Sequence, residues 1–201
     1  WRRGAKPVPA GRLEQVEHEA FLTLAAERGG TPVMTAIAAG ETDQGDALLV
    51  LDADGRRLAS LDAREITPDL LRDYWKALGG LHQLGISHGR MDAQSLIVRT
   101  DGSAALTDLG AAHVAASEGS LRTDQAQLLV TTALLGDTDR AVTAADAVLG
   151  NEGLAQILPF LQPAAFERDT RKALHDQHVD LKALRQSIAE RTSTEVPPLE
   201  P

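Results

Sequence analysis

The chain has 201 residues, enough for one substantial core or two small lobes. Hydrophobic residues are 43% and charged residues 24%, ordinary for a globular protein, but aromatics are only 3%, so the core must come from Leu, Val, Ile and Ala. A formal charge of −9 argues against a nucleic-acid partner, whose phosphates demand a basic face, and the absence of Cys excludes a disulfide framework, thiolate chemistry and Cys-ligated zinc.

The lack of Cys fits a reducing cytoplasm. No apolar run reaches the roughly 18 residues that a membrane span needs, and no signal-peptide pattern opens the chain. Because it begins at Trp1 rather than Met, the sequence reads as a fragment. No repeat is seen at solenoid periods.

Residues 1–11 are basic and rich in Pro and Gly, an irregular lead-in. From Arg12 the pattern is helical, with Leu13, Val16, Ala20, Phe21 and Leu24 read as one face. Gly29-Gly30-Thr31-Pro32 stops that helix. Residues 33–38 and 47–51, around a turn within 40–45, predict an antiparallel strand pair that ends at Asp52-Ala53-Asp54-Gly55. Thr67-Pro68-Asp69 is a helix start: a Thr cap, Pro in the first turn and an acid beside it. That helix should run to about Leu84, with Leu70, Leu71, Tyr74, Leu78 and Leu81 along one stripe and His82 a surface or satisfied histidine.

Residues 78–110 organise the rest. Ser87-His88-Gly89-Arg90-Met91-Asp92 forms a tight polar loop before the apolar run Leu96-Ile97-Val98. Asp101-Gly102 is a strong hairpin turn signal, and the return strand at 104–107 brings Asp108-Leu109-Gly110 to the same end as the first loop. Asp124 then opens a run, 126–135, that is apolar nearly all round and should be buried. Further helices are predicted at 139–149, ended by Gly150-Asn151, at 152–158, from near Pro163, and over 169–189 with a break near Gln177. His175 and His178 have a metal-compatible spacing but no third ligand. Residues 192–201 read as a Pro-rich linker.

Two acid-bearing loops at the ends of one short hairpin resemble the catalytic and metal-binding loops of the protein-kinase-like fold. The kinase catalytic loop reads H-R-D-x-x-x-x-N, with Asp as base and Asn on magnesium. Counted from His88, Arg90 stands in the place of the base and Ser95 in the place of the Asn. His88-Gly89 is closer to the small-molecule phosphotransferase variant, H-G-D-x-x-x-x-N. Asp108-Leu109-Gly110 matches the D-F-G motif, and Asp108 keeps the carboxylate that would hold magnesium on ATP phosphates. Arginine has no acceptor and stays protonated, so Arg90 cannot act as a base, although it can lie against phosphate. Asp92, the other carboxylate in the loop, is either a substitute ligand or a solvated loop charge. The segments VEHEAFLTLAAERGG, ISHGRMD, DQAQLLVTTALLG and LPFLQPAAF resemble the cytoplasmic kinase-like domain of bacterial membrane proteins of the lysylphosphatidylglycerol-synthase or flippase-like type.

The resemblance implies an α+β, protein-kinase-like fold with an incomplete small lobe (1–55, a helix plus antiparallel strands to a hinge). A mostly helical large lobe would span 56–191, and a linker towards a membrane region 192–201. Adenine would bind near residues 51–54. A helix glutamate, Glu17 or Glu19 with Glu17 preferred, would face a strand Lys; Lys6 is a poor candidate, and the usual Lys is expected upstream. His88 would pack beneath the loop, and Asp124 would either fasten the catalytic-loop backbone or be an ordinary N-terminal helix acid. Only thirteen residues separate Gly110 from Asp124, too few for a peptide-docking activation loop. The expected function is a pseudokinase, more regulator than enzyme: a nucleotide-sensing or scaffold domain that binds ATP and magnesium or no cofactor at all, and acts on its own transmembrane region or on a membrane-associated partner. An active phosphotransferase on a small molecule or lipid headgroup, using Asp92, is the alternative, and a plain interaction domain the third reading.

Overall fold

In the computed structural model, which describes residues 11–52 and 54–199, helix α2 (Pro68–Gln83) begins where its sequence signals start. The Thr67 hydroxyl accepts the Leu70 amide at 3.2 Å, satisfying one of the orphan donors of the first turn. The face of α2 carrying Leu71, Tyr74, Leu78 and Leu81 is fully buried. Tyr74 donates its hydroxyl to the Ile97 carbonyl at 2.7 Å, so its polar end is satisfied within the core. Opposite α2 stands α3 (Glu118–Leu135), whose Leu128, Leu129 and Val130 are successive residues with no exposed surface. Burial of three in a row means the helix is enclosed on all sides, as its apolar composition predicts. Helix α4 (Thr138–Ala155) packs its small residues Ala141, Ala144 and Ala145 into the same core.

The architecture is α+β: six α-helices among the described residues and small antiparallel sheets. Strand β1 (Ala36–Glu41) pairs with β2 (Ala47–Leu51). Strand β3 (Arg56–Arg57) pairs with β5 (Leu96–Val98), which pairs in turn with β6 (Ala104–Leu106), giving the hairpin that Asp101-Gly102 predicts. Strand β4 (Ile86–Ser87) pairs with β7 (His113–Val114) and so ties the ends of the two polar loops together. Helices α5 (Arg168–Asp176) and α6 (Leu181–Thr192) close the chain, separated by the break expected near Gln177.

Three sequence expectations are corrected. The strand predicted at 33–38 is divided: Val33 bridges Leu106 in parallel, and the ladder with β2 starts at Ala36, after the Thr35 carbonyl accepts the Asp52 amide at 2.8 Å. On α1 (Arg12–Arg28), Phe21 and Leu24 are not inward: they are 62% and 43% exposed, and the buried face is Ala20, Leu22, Thr23 and Ala26. Small side chains let α1 approach its neighbours closely, which bulkier ones would prevent. Helix α3 starts six residues before Asp124, at Glu118, because the Ser117 hydroxyl accepts the Ser120 amide and caps it. The break expected at Gly150 is present: its φ of 67° and ψ of 174° are non-helical, so α4 is two helical stretches meeting at a kink there.

One continuous core includes Leu22, Ala26 and Val33 as well as the helical residues, so it crosses the boundary expected at residue 55. The tail does not leave the body at once: Arg185 donates to the Pro197 carbonyl, and Thr194 donates its amide to Ala189 at 2.9 Å. Among the described residues, no helix is long and apolar enough to cross a membrane.

Candidate functional site

The 86–92 loop is shaped from behind by three polar side chains on one face of α3. Asp124, 1% exposed, accepts the amides of His88 at 2.7 Å and Gly89 at 2.8 Å, and the His82 ring through Nε2 at 3.1 Å. One turn on, Gln127 accepts the Met91 amide at 2.9 Å; another turn on, Thr131 donates to the Met91 carbonyl at 2.7 Å. Buried backbone groups must be paired, and these residues pair the ones that the loop cannot satisfy within itself. Asp124 therefore fastens the loop backbone from within the helix and not as an N-terminal acid. His82, which the sequence places as a surface or satisfied histidine, is satisfied by Asp124. Gln127 and Thr131 are not singled out by sequence reasoning, although polar residues at i, i+3 and i+7 in an apolar helix are a readable stripe.

Gly89 is required by the loop. Its φ is +80°, and a Cβ built there would lie 2.2 Å from the Ala111 carbonyl oxygen. His88 has no exposed surface and lies beneath the loop. Its Nε2 lies 3.0 Å from the Thr107 carbonyl, which can only accept, so the neutral ring carries its proton there. Nδ1 is buried with no hydrogen-bond partner. Burial pushes the His88 pKa down, opposed by the nearby Asp124 charge.

The front of the loop is different in kind. The Arg90 guanidinium is ion-paired with Asp108, and its Nε lies 3.5 Å from Asp92. Asp108 adopts the left-handed conformation, φ 65° and ψ 52°, a strained placement for a non-glycine residue of the sort found at functional sites. Asp92 also accepts the Gln94 amide at 2.8 Å. Ser95 is fully buried, and its hydroxyl is within hydrogen-bond reach of the carbonyls of Arg90 and Asp92 (3.1 and 2.8 Å), so it locks the turn.

The inward glutamate of α1 is Glu19, not Glu17. Glu17 is exposed, whereas Glu19 accepts a backbone hydrogen bond from Leu109 and lies near Gly110. Partial burial raises the Glu19 pKa, and the Arg90 charge and the Leu109 bond oppose the rise. His18 adds a second tie, from Nε2 to the Ala112 carbonyl at 3.0 Å. Between α1 and the two loops lies a cleft of about 480 Å³, bordered by Arg12, Gln15, Glu19, Arg90 and Asp108.

Of the predicted site residues, His88, Arg90, Asp92, Ser95, Asp108 and Asp124 are brought together, and Glu17 is left outside. At the expected hinge the Asp52 amide is already bonded to Thr35, and Asp54 accepts the Thr100 hydroxyl at 2.6 Å. Ala53 and Lys6 lie outside the described residues.

Magnesium does not fit this arrangement. The carboxylate that would bind it, Asp108, is already neutralised by a guanidinium, and the Asn-like position is a buried Ser committed to its own turn. Compared with protein-family models and with curated proteins, the chain has no match.

Proposed function

We propose that this chain is a pseudokinase-like domain, non-catalytic, which senses nucleotide or serves as a scaffold for a membrane protein. The single observation that carries this reading is the Arg90–Asp108 pair. A general base must accept a proton within hydrogen-bond reach of the attacking group, and Arg90, in the base position, has no acceptor. The same guanidinium holds the charge of Asp108 and so takes the place that a divalent cation would need. The loop nevertheless keeps its shape, because Asp124, Gln127 and Thr131 hold its backbone. A nucleotide phosphate in the cleft would meet Arg12 and Arg90, which suit phosphate oxygens. The segment resemblance supports a place on the cytoplasmic side of a membrane protein, acting on its transmembrane region or on a membrane-associated partner.

The test is thermal unfolding with ATP, with magnesium and with EDTA, beside an ATP-turnover assay. Saturating ligand that binds the native state adds about 2.7 kcal/mol of stability at 100 times its Kd. The expected result is a rise in Tm that survives EDTA, without turnover. Magnesium-dependent turnover lost in Asp92→Asn would establish the phosphotransferase instead; no shift with ATP would leave a plain interaction domain.

A further inference from the structure

The outward face of α1 is apolar at its centre and charged at its ends. Glu17, Phe21, Leu24 and Arg28 follow at intervals of four, three and four residues, so they form one stripe about 16 Å long. Phe21 is 62% exposed, whereas Phe166 is buried and Phe160 packs against the core. At the end of the helix Leu84, also exposed, lies against Gly29. The other acids near the stripe are engaged: Glu14 accepts the Gly11 amide at 2.9 Å, and Glu27 accepts the Thr35 hydroxyl at 2.8 Å. Glu17 and Arg28 are exposed, and their side chains make no hydrogen bond or ion pair among the described residues.

The order acid, apolar, apolar, base is complementary to itself when a second copy is turned end to end. An antiparallel pairing sets Phe21 against Leu24 of the second copy and Glu17 against Arg28 of the second copy, and twofold symmetry repeats both contacts. A parallel pairing would set Glu17 against Glu17 and Arg28 against Arg28. We propose that this face joins two copies of the chain in an isologous, antiparallel α1–α1 contact. The stripe is far smaller than a standard interface, so the contact is weak, with a Kd of about 0.1–1 mM. Well below that concentration the chain is monomeric, and unfolding then reads the single chain. The contact fills when copies are held at high local concentration.

The experiment is sedimentation equilibrium of the 201-residue chain up to about 1 mM, beside amide NMR shifts on dilution. Reversible association that stops at the dimer is expected, with the dilution shifts confined to the 17–28 stripe and Leu84. Phe21→Ser should weaken it at least about tenfold. Glu17→Arg or Arg28→Glu alone sets like charges together and should weaken it about fivefold. The double variant Glu17→Arg/Arg28→Glu, and an equimolar mixture of the two single variants, should associate as the wild type does, because opposite charges face each other again. These side chains are exposed, so each variant should keep the cooperative unfolding of the wild type. A wild-type chain that is monomeric at every concentration would give this face to another occupant and overturn the proposal. So would a mass that rises beyond the dimer, association indifferent to Phe21→Ser, or losses in the single variants that their mixture does not regain. None of these readouts involves nucleotide, so the result is independent of the kinase-like reading.

Discussion

The two sides of the 86–92 loop make opposite use of polar groups. Behind it, Asp124 is almost completely buried and takes hydrogen bonds from two backbone amides and one imidazole. In front, Arg90 and Asp108 form an ion pair whose side chains are 40% and 30% exposed. Buried, hydrogen-bonded charge is costly to disturb, whereas a half-exposed pair contributes little. The shape of the loop is therefore set from α3, and the residues that would carry chemistry can change without loss of shape.

The largest effect should come from the buried side. Asp124→Ala leaves the His88 and Gly89 amides without an acceptor and should cost about 3–5 kcal/mol, read from urea unfolding with an unchanged slope. A loss below about 1 kcal/mol would mean that the loop is not held from α3, and the contrast between its sides would fail. Gly89→Ala should cost about 2–3 kcal/mol, since it adds a Cβ against the Ala111 carbonyl at a positive φ. The same substitution at Gly102, whose Cβ would meet nothing within 4 Å, carries only the backbone penalty and separates the two contributions.

What the sequence made legible follows from where the signals are local. Asp101-Gly102 and the Thr67-Pro68 cap announce the hairpin and α2 because turns and caps are built from adjacent residues. The start of α3 is harder to read, since four of its first six residues are polar and only the cap at Ser117 marks them. On α1, Glu17-Phe21-Leu24 and Glu19-Leu22-Thr23-Ala26 both have helical spacing, and the bulkier stripe is the exposed one. Arg90 and Asp108 are 18 residues apart, and no local rule brings their side chains together. That contact exists only once β4–β7 and β5–β6 have both paired.

A pH titration sharpens the contrast next. Burial lowers the His88 pKa from an unfolded value near 6.5, so as pH falls the unfolded chain takes up this proton first. The contribution of His88 to stability is whole above about pH 6.5 and is lost below it, by at most about 1.4 kcal/mol per pH unit. The expected result is a urea midpoint that falls between pH 7 and pH 5, with the His88 ring of the folded protein titrating below 6.5. A folded His88 that titrates at or above 6.5 would show that the interior beneath the loop is open to water.

The smallest effects should come from α1, where the two glutamates are close in sequence and differ in environment. Glu17 is exposed, and Glu17→Gln should alter stability by no more than about 0.5 kcal/mol at any pH. Glu19 has a raised pKa, with burial the largest cause, so its ionised form is the disfavoured one in the folded state. Wild-type protein therefore loses some stability as pH rises through that value, and below about 4.5 both folded and unfolded carboxyls are protonated. Glu19→Gln removes the charge and keeps an oxygen for the Leu109 amide, so its unfolding midpoint should exceed that of Glu17→Gln at pH 7 and converge with it at pH 4. The opposite order at pH 7 would mean that the attraction between Glu19 and Arg90 outweighs desolvation. The front of the site would then be held by charge as firmly as its back is held by hydrogen bonds.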